Sequence, residues 1–164
     1  TMCILFESYM AEYDDLVSRS HMTAWVAGFI DGEGCIHIYK QKYKSRSTGE
    51  HGGITHSLRI SIGQNNLEVL ERIIDVLDIH AKIFKNKRNM GTNRQCYTLH
   101  INGKYALRTI ELIKPYLVRK LPEALAAERF WEEGRKDLKT GRKPVPKAIM
   151  DIREWWYNKM RRMK

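Results

Sequence analysis

Two carboxylates, Asp31 and Glu33, sit in Trp25-Val26-Ala27-Gly28-Phe29-Ile30-Asp31-Gly32-Glu33-Gly34, a stretch that begins as an apolar, small-residue helix and ends in a glycine turn. A helix C-terminus carries partial negative charge and ordinarily attracts Lys or Arg. Two acids at that end are therefore expected to meet a cation or a set of hydrogen-bond donors, and the segment reads as a site as well as a scaffold. Gly32-Glu33-Gly34 follows a helix and does not open one, so it has no helix N-terminus with which to cradle a phosphate. The six histidines show neither H-x-H nor H-E-x-x-H spacing, and Cys3, Cys35 and Cys96 stand far apart with no C-x-x-C pair, which argues against a zinc site or a disulfide framework. A reducing, intracellular setting fits that cysteine usage.

The elements that must position these residues follow from periodicity. Residues 1–22 read as an acidic, amphipathic extension, helical in spacing. Glu7, Glu12, Asp14 and Asp15 against Arg19 alone leave it at −3, so the remainder carries +13 of the net +10. A single domain is expected over 23–164. Thr23 is the expected N-cap of the helix bearing Trp25, Val26, Phe29 and Ile30. From Gly34 the period becomes two: Ile36 and Ile38 alternate with His37, Tyr39 and Gln41, and Leu58, Ile60 and Ile62 alternate with Ser57, Arg59 and Ser61. A basic loop or hairpin, Lys42 to Gly53, is expected between these strands. Asn66 caps an amphipathic helix ending near Asp78. A second hairpin pairs about Ala81–Asn86 with Gln95–Ile101, the latter placing Tyr97, Leu99 and Ile101 on one face and Thr98 and His100 on the other. Helices are expected over about Lys104–Lys114, Pro122–Lys136 and Val145–Arg162. One of the tryptophans of Trp155-Trp156-Tyr157 is expected to pack into a core or interface.

Helix–hairpin–helix–hairpin order implies an internal duplication and an α+β fold: a four-stranded antiparallel sheet with helices on one face. The opposite face carries His37, Tyr39, Gln41, Ser57, Arg59, Ser61, Thr98 and His100. Two basic clusters flank it, one of Lys82, Lys85, Lys87, Arg88 and Arg94, the other of Lys40, Lys42, Lys44 and Arg46. His21, His51, His56 and His80 read as loop or surface residues. A polyanion is the natural partner of such a chain, and double-stranded DNA the best fit to a basic reading face. No apolar run approaches a membrane span, and the first six residues lack the basic region of a signal peptide. No small-molecule cofactor is expected.

Residues 26–34, VAGFIDGEG, resemble the nine-residue LAGLIDADG motif of homing endonucleases, matching it at Ala27, Gly28, Ile30, Asp31 and Gly34. The element order over 23–137 resembles the αββαββα fold of that family. The resemblance implies that two motif helices pack together through Ala24, Gly28, Asp31 and Gly32. One motif per chain then implies a homodimer on a long pseudo-palindromic duplex. It further implies that Glu33 and the Gly32 carbonyl hold a divalent metal, Mg2+ or Mn2+, that Gln64 positions the attacking water, and that Lys120, or its neighbour Arg119, lies near the scissile phosphate. Asp31 is the more structural of the two acids. The competing reading is a non-cleaving module on the same fold, an RNA maturase or a DNA-binding regulator.

Overall fold

The computed structural model describes residues 2–44, 51–86, 95–135 and 145–163. Helix α1 (Met2–Glu33) leads into strands β1 (Gly34–Lys44) and β2 (His51–Gln64). Helix α2 (Leu67–Leu77) leads into β3 (Lys82–Lys85) and β4 (Tyr97–Asn102), and α3 (Lys104–Ile113), a 3-10 turn (Lys114–Tyr116), α4 (Leu121–Gly134) and α5 (Lys147–Arg162) complete the chain. The sheet is antiparallel in the order β1-β2-β4-β3. The second strand of each hairpin therefore lies at the centre beside its counterpart, the arrangement that a duplicated helix–hairpin unit produces when the two copies meet about a local two-fold axis.

Alternation decides which side of the sheet is covered. Ile36 pairs with Ile60, Ile38 with Leu58, Ile60 with Ile101 and Ile62 with Leu99. Directly opposed residues share a face, so these seven aliphatic side chains form one surface, and all are buried. Val26, Ala27 and Ile30 of α1, Leu70, Ile73 and Leu77 of α2, Ala106, Ile110 and Ile113 of α3, and Phe130 of α4 close over it as one core. Fully burying each large aliphatic side chain contributes about 1.5–3 kcal/mol, which holds the helices on this side and leaves the sheet's other face to solvent.

Local rules set several boundaries. The Asn66 side chain accepts from the Glu68 amide at 3.0 Å, capping α2 as expected, and Asp78 ends that helix in the left-handed region at φ 47°. Gly103 adopts φ 59° between β4 and α3, and its N–H donates to Leu58 O at 2.8 Å. Gly34 is required for another reason: a Cβ there would lie 2.7 Å from the Ile30 carbonyl oxygen, where the first strand leaves the last turn of α1.

Three expectations are corrected. The helix does not start at Thr23; α1 runs without a break from Met2, and Thr23 Oγ1 donates to Arg19 O at 2.9 Å, a bond made one turn back along a continuing helix. β1 and β2 extend to Lys44 and from His51, so both ends of the stretch read as a loop or hairpin are paired strand, as a hairpin requires. His56 is wholly buried rather than superficial: Nε2 lies 2.9 Å from Glu154 Oε2, whose other oxygen accepts from Lys40 Nζ at 2.7 Å. Lys40 accordingly shares the helix-covered face, opposite His56 in the register, and leaves the basic cluster to which the sequence assigned it. Here α5 clamps the β1–β2 hairpin, and Arg135 Nη1 donates to His56 O at 2.6 Å while Arg153 Nε donates to Gly134 O at 2.7 Å. Trp156 packs inward and Trp155 outward, as helical geometry demands of neighbours.

Candidate nucleic-acid interface and catalytic centre

The two acids of the motif have different surroundings. Asp31 is partly buried, and its carboxylate accepts three backbone N–H groups from the segment that opens α4: Oδ2 from Val118 at 3.3 Å and Arg119 at 2.9 Å, Oδ1 from Lys120 at 2.7 Å. The Lys120 ammonium in turn donates to the Asp31 carbonyl. One residue thus satisfies a helix start with its side chain, while the cation beside it meets the negative end of α1. Burial pushes the Asp31 carboxyl up, but the amides of Arg119, Lys120 and Val118, with the Lys120 charge, outweigh it and hold the group below its usual 3.8. Glu33, the last residue of α1, faces solvent.

Around that helix end, Gly32, Gly34, Cys35, Arg119 and Lys120 line a cleft of about 380 Å³. The structure therefore brings Lys120 to the motif, by way of Asp31, and adds Arg119, exposed on the same cleft. Gln64 closes β2 two residues beyond Ile62, the partner of Gly34, so it lies at the same end of the sheet as the two acids. Its Oε1 accepts from the Asn65 N–H at 2.8 Å. Among the described residues no group of three His, Cys, Asp or Glu side chains is placed to hold a metal ion. What one protomer offers is hard oxygen, the Glu33 carboxylate with the Gly32 carbonyl beside it. That donor set suits a Mg2+-like ion drawing its other ligands from phosphate and water.

Glycines 28 and 32 differ from Gly34. A Cβ at either would meet nothing within 4 Å, and both are exposed on α1 beside half-buried Ala24 and Trp25, which is 38% exposed. Nothing inside the protomer requires glycine at these two positions.

The uncovered sheet face assembles as the alternation predicts. His37 opposes Arg59, Tyr39 opposes Ser57, Ser61 opposes both Cys35 and His100, and Gln41 continues the row along β1. The Arg59 guanidinium lies 3.8 Å from the Tyr39 ring centroid and donates through Nε to Asn102 Oδ1 at 2.6 Å, which fixes its fork over the sheet. Ser61 Oγ and His100 Nδ1 are 3.0 Å apart. Burial, reinforced by the charges of Arg59 and His37, pulls the His100 imidazole below its usual range, so at neutral pH it carries one donor and one acceptor. Thr98 exchanges hydrogen bonds with Asn86 at 3.0 and 3.1 Å. Lys82 pairs with His100 and so belongs to this face, whereas Lys85 pairs with Tyr97 and falls on the other, correcting its assignment to the groove. Lys87 and Arg88 lie outside the described residues. The sequence reading omitted Asn102, Asn86 and Phe84. Counting by twos from His100 or Lys82 reaches Asn102 and Phe84.

A sequence model described as LAGLIDADG endonuclease matches residues 26–120, more than half of the chain. The protein belongs to the LAGLIDADG endonuclease family. Solved structures agree at the level of fold. The homing endonuclease I-CvuI, in complex with its target in the presence of 2 mM Ca, is 18% identical with a TM-score of 0.68, covering 90% of this chain and 85% of its own. A second I-CvuI complex, in the presence of 2 mM Mg, is described as revealing DNA not cleaved, at a TM-score of 0.67 and 18% identity over 90% of this chain and 84% of its own. The archaeal intron-encoded I-Vdi141I, complexed with DNA, is 19% identical at a TM-score of 0.52 over 82% of this chain and 95% of its own. These LAGLIDADG endonuclease folds share the α+β architecture with a four-stranded antiparallel sheet, and no helix among the described residues of this member is long and apolar enough to cross a membrane.

Proposed function

We propose that this LAGLIDADG protein is a site-specific homing endonuclease that cuts both strands of a long duplex as a homodimer, with a divalent metal. The observation that carries the reading is the divergence of the two motif acids: Asp31 is engaged by its own chain, while Glu33 is left facing solvent at the end of a polar reading face. If both acids were structural, both would be partnered. The open space at Gly28 and Gly32 supports close approach of a second α1, as small residues allow between crossing helices. Such a pairing would bring two Glu33 carboxylates to one two-fold axis.

In this mechanism the sheet reads base edges in the major groove. Arg59 presents a braced donor fork, and neutral His100, Ser61, Thr98, Gln41, Ser57, His37 and Tyr39 present donors and acceptors. Lys82, with Lys87 and Arg88 further along the chain, neutralises phosphates and fixes register. Glu33 and the Gly32 carbonyl would hold Mg2+ or Mn2+, which supplies charge stabilisation at phosphate oxygens and acidifies bound water. Gln64, at the same end of the sheet, would orient the attacking water. Lys120, its ammonium on the Asp31 carbonyl, braces the helix end, and exposed Arg119 is the cation open to the scissile phosphate.

The test is incubation of the wild-type chain and Glu33→Gln with a library of long duplexes and Mg2+. Cleavage at a defined site by the wild type, lost in Glu33→Gln while binding persists, is expected. Specific binding with no cleavage by the wild type would instead establish a non-cleaving regulator or maturase. A sedimentation mass of one chain per duplex would refute the homodimer.

A further inference from the structure

Among the described residues, the uncovered face of the sheet carries one wholly hydrocarbon side chain, Phe84. Cross-strand pairing places Phe84 opposite Thr98, on the same side as His100 and Lys82. Its neighbour Ile83 opposes Leu99 on the core side, so Phe84 fills no part of the hydrophobic interior. The ring is 48% exposed and leans on the His100 imidazole with centroids 5.2 Å apart at 52°, which holds it in place on a short edge strand. On β2, the residue opposite Thr98 is Gly63, where a side chain would meet nothing within 4 Å. The floor beside the ring is therefore low, and Phe84 stands clear of it.

A half-exposed aromatic held among hydrogen-bonding groups and cations offers that face a surface for an apolar partner. A DNA major groove offers one such group on its base edges, the C5-methyl of thymine. We infer that Phe84 is a specificity-determining residue that selects thymine, by its methyl group, at one position of each half-site. The inference rests on the proposed DNA-reading role of the sheet. It assigns that face a division of labour, with Arg59 and His100 reading hydrogen-bonding edges and Phe84 reading a methyl.

The test begins by selecting duplexes from a randomised library with the full-length wild type, without added divalent metal so that they stay intact. In the selected duplex, each thymine is then replaced singly by deoxyuridine, which removes the methyl and leaves the pairing edge unchanged. One replacement per half-site is expected to weaken binding about three- to five-fold, the worth of one buried methyl. A 5-methylcytosine placed at that position is expected to bind better than cytosine. Phe84→Ala should bind the thymine and deoxyuridine duplexes equally, and Phe84→Leu should keep part of the preference. A wild type indifferent to every single replacement overturns the inference, as does a Phe84→Ala protein with the same methyl preference. Failure to enrich any duplex overturns it together with the DNA-reading function, and so is distinguishable from a sheet that reads DNA without Phe84.

Discussion

Replacing Asp31 by Asn is expected to destabilise the fold, whereas replacing Glu33 by Gln is expected to leave it intact. Asn at position 31 keeps one carbonyl oxygen but turns an NH2 group toward amides that also donate. At least one of the three N–H groups now held at 2.7, 2.9 and 3.3 Å then loses its acceptor, and the survivors lose their charge assistance. Hydrogen bonds to a charged group contribute about 1.5–3 kcal/mol, and an unpaired, half-buried donor costs about as much. With some water able to reach the site, the net loss comes to about 2 kcal/mol, or about 4–8 °C in Tm for a chain of this length. Urea titration followed by tryptophan fluorescence measures it directly. The effect also has a pH signature. The Asp31 pKa is depressed in the folded state, so its contribution is complete above its unfolded value near 3.8 and is lost as pH falls below it. The gap between wild type and Asp31→Asn should therefore narrow on acidification. Glu33 faces solvent at a helix C-terminus, so neutralising it should hold or slightly raise Tm. An Asp31→Asn midpoint indistinguishable from wild type, or a Glu33→Gln protein equally destabilised, would refute this division of the two acids.

Two further outcomes follow from the same geometry. Gly34→Ala drives a Cβ against the Ile30 backbone and should cost about 1–3 kcal/mol in chemical denaturation. Gly28→Ala meets open space and should stabilise the protomer by about 0.5–1 kcal/mol; a larger Gly28→Gln should lower the sedimentation mass of the DNA complex, and an unchanged mass would remove α1 from the proposed seam. Burial pulls the His56 imidazole below 6.5 despite its bond to Glu154, with Lys40 and Arg153 adding to the depression. The unfolded chain then takes up the proton first, so the stability contributed by neutral His56 is complete above 6.5 and falls with pH below it. Urea midpoints should decline over that range more steeply in the wild type than in His56→Gln, and parallel profiles would refute the assignment.

Much of this molecule follows from short-range pattern. A nine-residue motif, a period of two in three of the four strands and a period near 3.6 in the helices were enough to place the core face, most of the uncovered polar face and the family. Each depends only on residues a few positions apart, and the backbone geometry of strands and helices is common to all proteins. Thr23 shows where that reasoning stops. It is a good N-cap residue, but residues ahead of it continue the helix, and capping preference does not end a helix that can propagate.

Tertiary structure decided whatever depends on a partner far along the chain. The Asp31 carboxylate meets amides 87 to 89 residues away, so the partners that give it its structural duty become visible only when α4 docks at the end of α1. Lys40 and His56 read as surface residues until Glu154, 98 residues beyond His56, arrives on α5 and holds both through its one carboxylate. Periodicity tells which way a side chain points; only packing tells what covers that side. For the same reason the family resemblance marked Asp31 as the more structural of the two acids, but only the folded chain showed which amides it holds and that Glu33 is left facing solvent.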